Sequence, residues 1–209
     1  MLVGLNEVLE PRRLSDGRAV SGAAMKLGTL VLLVALVAAP ACGGGGGSDS
    51  GVGGSPSPLS ASFVPDLTTP GSNTVAMTQA SKSSDVVNVW VTLTDTPNVF
   101  AAAFEVVFDD ANATYLGFTK GAAFEAGGNV PNYTVDGTTN PGRIVVAVAR
   151  TNGIATTITS SKAIITLQFR VKQPGTSPVT LQNAALFDAQ ATPQPIPAIL
   201  WFAGALSGV

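Results

Sequence analysis

Ile164-Ile-Thr-Leu-Gln-Phe-Arg-Val-Lys172 is the stretch that decides the fold. Ile165, Leu167, Phe169 and Val171 alternate with Ile164, Thr166, Gln168, Arg170 and Lys172, and Pro174-Gly175 stops the run. Successive side chains of a strand point to opposite sides, so a period of two describes a strand with one buried face. The same pattern recurs upstream. Val87, Val89, Val91 and Leu93 alternate with Asn88, Trp90, Thr92 and Thr94 before Asp95-Thr96-Pro97-Asn98 breaks the run. Ala102, Phe104, Val106 and Phe108 alternate with Ala103, Glu105 and Val107 and end at Asp109-Asp110. Shorter β runs are expected at Ala113 to Phe118, at Arg143 to Ala149 after the Asn140-Pro141-Gly142 turn signal, and at Val179 to Leu181, Ala185 to Phe187 and Ile199 to Phe202. No segment after Ser60 carries a sustained helical period.

Strands that are apolar on one side bury those sides against each other, which predicts an all-β, antiparallel β-sandwich. Eight or nine strands favour a jelly-roll over the seven-stranded immunoglobulin type.

The N-terminal part reads differently. Met25-Lys26 puts a charge before an apolar run, Leu27 to Ala39; then come Ala39-Pro40-Ala41, Cys42, five glycines and a Gly/Ser/Pro tract. Thirteen apolar residues fall short of the roughly 20 that cross a bilayer as a helix. The order of charge, short apolar core, small residues and cysteine is that of an export signal. It resembles a bacterial lipoprotein signal, which implies acylation of Cys42, although Ala39 stands where leucine is usual. Cleavage after Ala41 by ordinary signal peptidase also fits the small residues, and the product would then be secreted. Residues 1–24 carry Glu7, Glu10 and Asp16 where a signal should be short and basic, and are read as a mis-assigned start or non-structural leader.

The expected organisation is therefore a leader at 1–24, a signal peptide at 25–41, a flexible tether at 42–60 and one sandwich domain at 61–209. The expected location is the cell envelope, facing periplasm or exterior, with the membrane touched only through the lipid. Gly43 follows the cysteine, where lipoproteins kept at the inner membrane carry an acidic residue.

Composition narrows function. From Cys42 onward there are seven Lys and Arg against ten Asp and Glu, a net charge of −3 that argues against a nucleic-acid partner. The chain has no histidine and one cysteine, which excludes an intramolecular disulfide, a Ser-His-Asp or Cys-His centre and a zinc site built on them. No cofactor is expected. Two carboxylates could still serve a glycosidase; the candidates are Glu105, Asp109, Asp110, Glu125 and Asp136. Asp109, Asp110 and Asn112 could offer oxygens to calcium, but a solvated turn is the better reading, since calcium wants six to eight oxygens. Trp90 has the parity of a polar face, where an exposed indole would stack on a sugar ring or anchor a partner.

Taken in order, the strands resemble a cohesin module. The elements that carry the resemblance are Val86 to Leu93, Phe104-Glu-Val-Val-Phe-Asp109, Tyr115-Leu-Gly-Phe-Thr-Lys-Gly121, Gly142-Arg-Ile-Val-Val-Ala-Val-Ala149, Ile164 to Lys172, Gly175 and Val179-Thr-Leu181. Asp109-Asp110 stands where the family usually has Asp-Pro. The resemblance covers about residues 75–205 and implies a nine-stranded jelly-roll that binds a dockerin-like protein linked to polysaccharide breakdown. It also implies a binding face on the outer side of the sheet holding the Phe104, Ile144 and Phe169 strands, with Ala103, Glu105, Val107, Val145, Ala147, Thr166, Gln168 and Arg170 outward. A non-enzymatic binding module is the expectation. The alternatives are a carbohydrate-binding module that uses Trp90 and a structural envelope lipoprotein.

Overall fold

A computed structural model describes residues 58–209. Thirteen strands fill this region: β1 (Ala61–Pro65), β2 (Thr74–Ser83), β3 (Val86–Thr94), β4 (Thr96–Val99), β5 (Ala101–Phe108), β6 (Ala113–Lys120), β7 (Asn132–Asp136), β8 (Arg143–Ala149), β9 (Thr156–Ile158), β10 (Lys162–Val171), β11 (Gly175–Phe187), β12 (Leu200–Phe202) and β13 (Gly204–Gly208). One 3-10 turn, Ala126–Gly128, is the helical element among the described residues.

The strands form a six-stranded sheet in the order β1-β13-β11-β5-β8-β7 and a five-stranded sheet in the order β12-β2-β3-β10-β6, with β4 and β9 as a small separate pair. The fold is the expected all-β jelly-roll sandwich. Its strands are more numerous than the nine expected, the runs Val179 to Leu181 and Ala185 to Phe187 merge into the single strand β11, and β12 runs parallel to β2 in an otherwise antiparallel arrangement. The elements that the alternation passes over have local reasons. In β2, Thr74 to Met77 are all buried and the rest of the strand is polar, so no period of two develops. In β7 and β13 the apolar residues are too few to set one.

Each alternating face lands inward. Val87, Val89, Val91, Ile165, Leu167 and Phe169 of one sheet meet Phe104, Val106, Ile144, Val146 and Leu206 of the other, all essentially without solvent contact. Removing each such side chain from water contributes roughly 1.5–3 kcal/mol. Near the C-terminus the chain crosses from one sheet to the other between β12 and β13. A Cβ on Gly204 would stand 2.3 Å from the Val64 carbonyl oxygen and 2.7 Å from the Phe63 ring, so only glycine passes there.

Tyr133 holds the open edge of the sandwich. Its hydroxyl shares its one proton between the carbonyls of Gly121 (3.0 Å) and Ile164 (2.8 Å), reaching from β7 in the six-stranded sheet to β10 in the five-stranded one. Burial pushes its phenol up to about 12, with the charge of Glu125 adding to the rise. The folded chain thus favours the neutral phenol. That contribution is whole below pH 10, the ordinary phenol value, and is lost as pH rises towards 12. Tyr133→Phe should cost about 1–2 kcal/mol at neutral pH for the shared hydrogen bond. Denaturant titrations from pH 9 to 12 should show the wild type losing stability more steeply than Tyr133→Phe; parallel curves would remove Tyr133 from the alkaline transition.

Candidate functional site

The outer side of the six-stranded sheet is a grid set by register. Gln182, Glu105, Val145 and Asp136 stand in one row across β11, β5, β8 and β7. Ala185, Ala103, Ala147 and Thr134 form the next, and Phe187, Ala101, Ala149 and Asn132 the one beyond. On the other side of the Glu105 row lie Thr180, Val107 and Arg143. Alanine at four central positions keeps the floor low. A shallow depression of about 190 Å³ results, bordered by Phe187, Asn132 and Thr134. Val145 stands beside it, 40% exposed.

The charges next to this strip are already matched. Arg143 Nε donates to Glu105 Oε2 at 2.8 Å, its Nη2 reaches the same oxygen, and Asn183 Nδ2 donates to it at 2.9 Å. Asn183 can do so because β11 is irregular between Gln182 and Ala185, where Asn183 takes a left-handed φ of 48°. The Arg143 hydrogen bond, outweighing burial and helped by Asn183, holds the Glu105 carboxyl below the usual carboxylate range. Asp136 is also held low, by hydrogen bonds from Thr139 and Thr138; the two backbone N–H groups lie 3.1 Å from Oδ1.

Glu105 and Asp136 share a face with one strand between them, about 10 Å apart at two strand spacings. A glycoside-cleaving pair needs one carboxyl raised so that it can donate a proton. Both of these are lowered, so neither is set up as the acid. Asp109 is engaged in its own turn, accepting from the Ala111 N–H at 2.9 Å and from the Asn112 amide. Asp110 follows it in that turn, and Glu125 opens the 3-10 turn without capping it. Among the described residues no group of three or more His, Cys, Asp or Glu could hold a metal ion. Cys42 lies outside the described residues.

The expected face has to be divided. Glu105, Val107, Val145 and Ala147 do come together on β5 and β8. Thr166, Gln168 and Arg170 belong to β10 in the opposite sheet, so they lie on the far side of the molecule. There Thr166 stands opposite Trp90, Gln168 opposite Asn88, and Arg170 pairs with Asp85 at 3.1 Å. Phe104, Ile144 and Phe169 all point inward, but from two directions. Alternation separates inside from outside and carries no information about which sheet a strand joins. Trp90 is exposed, as the parity of its strand predicts.

Several residues of the β5–β8 face escape sequence reasoning. Arg143 was accessible to it, since it has the parity of Val145 two residues on. Asn183 was not, because a bulge changes parity. Asn132 and Thr134 sit on β7, which has no apolar alternation to announce it.

The family model of the cohesin domain matches residues 72–196. No curated protein matches the chain. Among solved structures, a type II cohesin domain from the cellulosome of Acetivibrio cellulolyticus superposes with a TM-score of 0.50 at 13% identity, covering 71% of this chain and 94% of that one. A non-cellulosomal cohesin from the archaeon Archaeoglobus fulgidus gives 0.43 at 16% identity, over 69% and 88%. The third cohesin of ScaC from A. cellulolyticus, solved in complex with the ScaB dockerin, gives 0.47 at 20% identity, over 57% and 86%.

The Glu105 environment makes a direct prediction. Carbon-detected NMR titration should place the Glu105 carboxyl midpoint below 4.5, and Arg143→Gln should return it to that value or above, since burial then acts with less opposition. Because the folded value is depressed, the pair stabilises the fold above pH 4.5, and the contribution fades as pH falls through the folded midpoint. A Glu105 midpoint indifferent to Arg143→Gln would break the assignment.

Proposed function

Because this chain belongs to the cohesin domain family, we propose that it is a non-catalytic binding module that docks a dockerin-like protein on the outer face of β11, β5, β8 and β7. Cohesin domains bind dockerins in cellulosome-type assemblies, and the face of this sheet has the chemistry such docking needs. The observation that carries the reading is the alanine-floored strip next to exposed Val145, bordered by a carboxylate whose charge is already matched. Small apolar side chains let a partner approach the sheet closely. Covering an unpaired charge would cost several kcal/mol, and the Arg143 and Asn183 contacts to Glu105 remove that cost before the partner arrives.

The decisive experiment is a pull-down from the source organism's secreted proteins with the full chain as bait, with and without calcium chelation. A stoichiometric partner released by chelation fits a dockerin, whose fold depends on calcium loops. Val145→Asp and Ala147→Arg should each weaken that partner's binding at least thirtyfold, the loss of about 2 kcal/mol or more that marks the centre of an interface. Gln168→Ala and Arg170→Ala, on the opposite sheet, should change it less than twofold. The reverse pattern would move the site to the other face.

The reading places the module outside the cytoplasm on a lipid carried by Cys42. Cys42→Ala should then abolish incorporation of radiolabelled palmitate and transfer the protein from the detergent-extracted membrane fraction to the soluble one. A wild-type chain that takes up no palmitate and is already soluble would instead be a secreted product.

A further inference from the structure

The opposite face of the sandwich has a chemistry of its own. Register sets Thr78, Trp90 and Thr166 side by side across β2, β3 and β10, with Ser81, Asn88 and Gln168 in the adjacent row. Trp90 is 44% exposed in the middle of its sheet, bracketed by paired strands on both sides. The other tryptophan, Trp201, packs on Phe104 at 5.8 Å and is half-buried.

Two hollows adjoin the Trp90 row. One, of about 290 Å³, sets Pro70, Trp90 and Ala163 against the hydroxyls of Thr78, Thr92 and Ser161. The other, of about 240 Å³, sets Leu116 and Phe118 against Asn88, Thr166 and Gln168. Gly117 leaves this second hollow open, since a Cβ there would meet nothing within 4 Å. Each hollow therefore combines an apolar wall with neutral hydrogen-bonding groups, the make-up of a small-molecule site.

The amides are held in place. Gln168 Nε2 donates to Asn88 Oδ1 at 3.2 Å, and Asn88 Nδ2 donates to Ser81 Oγ at 2.9 Å. Among the described residues, Gln168 Oε1 and one N–H of each amide are left without a protein partner. Neither row carries a charge: Lys82 and Lys120 stand one position beyond them on β2 and β6, with Lys120 turned over the Tyr133 ring, and Arg170 at the end of the sheet is matched by Asp85.

From this placement we propose that the outer face of β2, β3, β10 and β6 is a second binding site, which takes an uncharged polysaccharide with a sugar ring stacked on Trp90. A pyranose presents C–H groups on its face and hydroxyls around its rim. The indole covers the first, and ordered amides and hydroxyls meet the second. A charged polymer finds no free counter-charge in these rows. A protein interface would want a contiguous apolar centre, whereas Trp90 is flanked by Thr78 and Thr166 in its own row, and Asn88, Thr166 and Gln168 line the hollow that holds the exposed Leu116 and Phe118. This site lies on the other sheet from the dockerin-like docking face, so either can fail without the other.

The test is affinity electrophoresis of the full chain through gels containing hydroxyethylcellulose, soluble xylan or galactomannan, with polygalacturonate as the charged control. Retardation by at least one neutral polymer is expected. Trp90→Ala should raise the apparent Kd at least tenfold, Trp90→Phe should retain more binding than Trp90→Ala, and Gln168→Ala should cost about threefold. Binding should also quench fluorescence in the wild type and not in Trp90→Phe, where Trp201 alone reports. Near-UV circular dichroism of Trp201 and the thermal midpoint verify that each variant is folded. Retardation by no neutral polymer, by polygalacturonate alone, or equally in Trp90→Ala would overturn the proposal. A dimer that Trp90→Ala dissociates, with no retardation, would assign the face to a second copy of the chain and overturn it as well.

Discussion

Phe108 and Phe169 meet edge to face in the core, 5.3 Å between ring centres, one from each sheet. Tyr115 tilts onto Phe169 at 6.2 Å, and Trp201 onto Phe104 at 5.8 Å. Two sheets that bury alternating side chains against each other this way have no freedom left on their inner sides. Where a strand alternates, the residues between the buried ones are then turned outward. Glu105 and Val107 are on the surface because Phe104, Val106 and Phe108 are not. Trp90 is on the surface because Val89 and Val91 are wholly buried. The outer faces are thus a consequence of core packing, and their chemistry is what the sequence was free to choose.

That dependence explains what could be read without coordinates. In the long strands, the inward or outward direction of each side chain follows from a period of two, and Phe104, Phe108, Ile144, Leu167 and Phe169 are buried as their parity requires. Which outward residues share a surface depends on strand order instead, and strand order is set by the connections. Placing Gln168 and Arg170 beside Glu105 joined two faces that the thickness of the core keeps apart. The strands that alternation missed are those with another reason to be strands: β13 is held between β1 and β11, and β7 is held to β8 and tied by Tyr133.

The devices that finish the structure act between residues far apart in the chain. Asn183 reaches Glu105 across 78 positions, and Tyr133 reaches Ile164 across 31. Arg150 is 5% exposed and has no carboxylate partner among the described residues. Its Nε donates to the Ile154 carbonyl at 2.6 Å and its Nη atoms to the carbonyls of Phe124 (2.9 Å) and Ala126 (2.8 Å). One guanidinium thereby gathers the segment that leads into β7 and the loop that follows β8. In the sequence Arg150 is merely a charge after a strand. Its importance comes from a rigid fork whose Nε and two Nη atoms meet three loop carbonyls, that of Phe124 being shared with the Asn129 amide.

The two outer faces solve different problems of desolvation. Around Val145 the carboxylates are satisfied internally, Glu105 by Arg143 and Asn183, and Asp136 by its own turn, so a broad partner can cover them without leaving a charge stranded. Around Trp90 the amides are ordered but incompletely satisfied, which penalises an apolar partner and favours one that brings hydroxyls of its own. An unmatched donor costs little while water reaches it and much once water is displaced. Under the two proposals, the same rule sets a protein on one side of the sandwich and a sugar on the other.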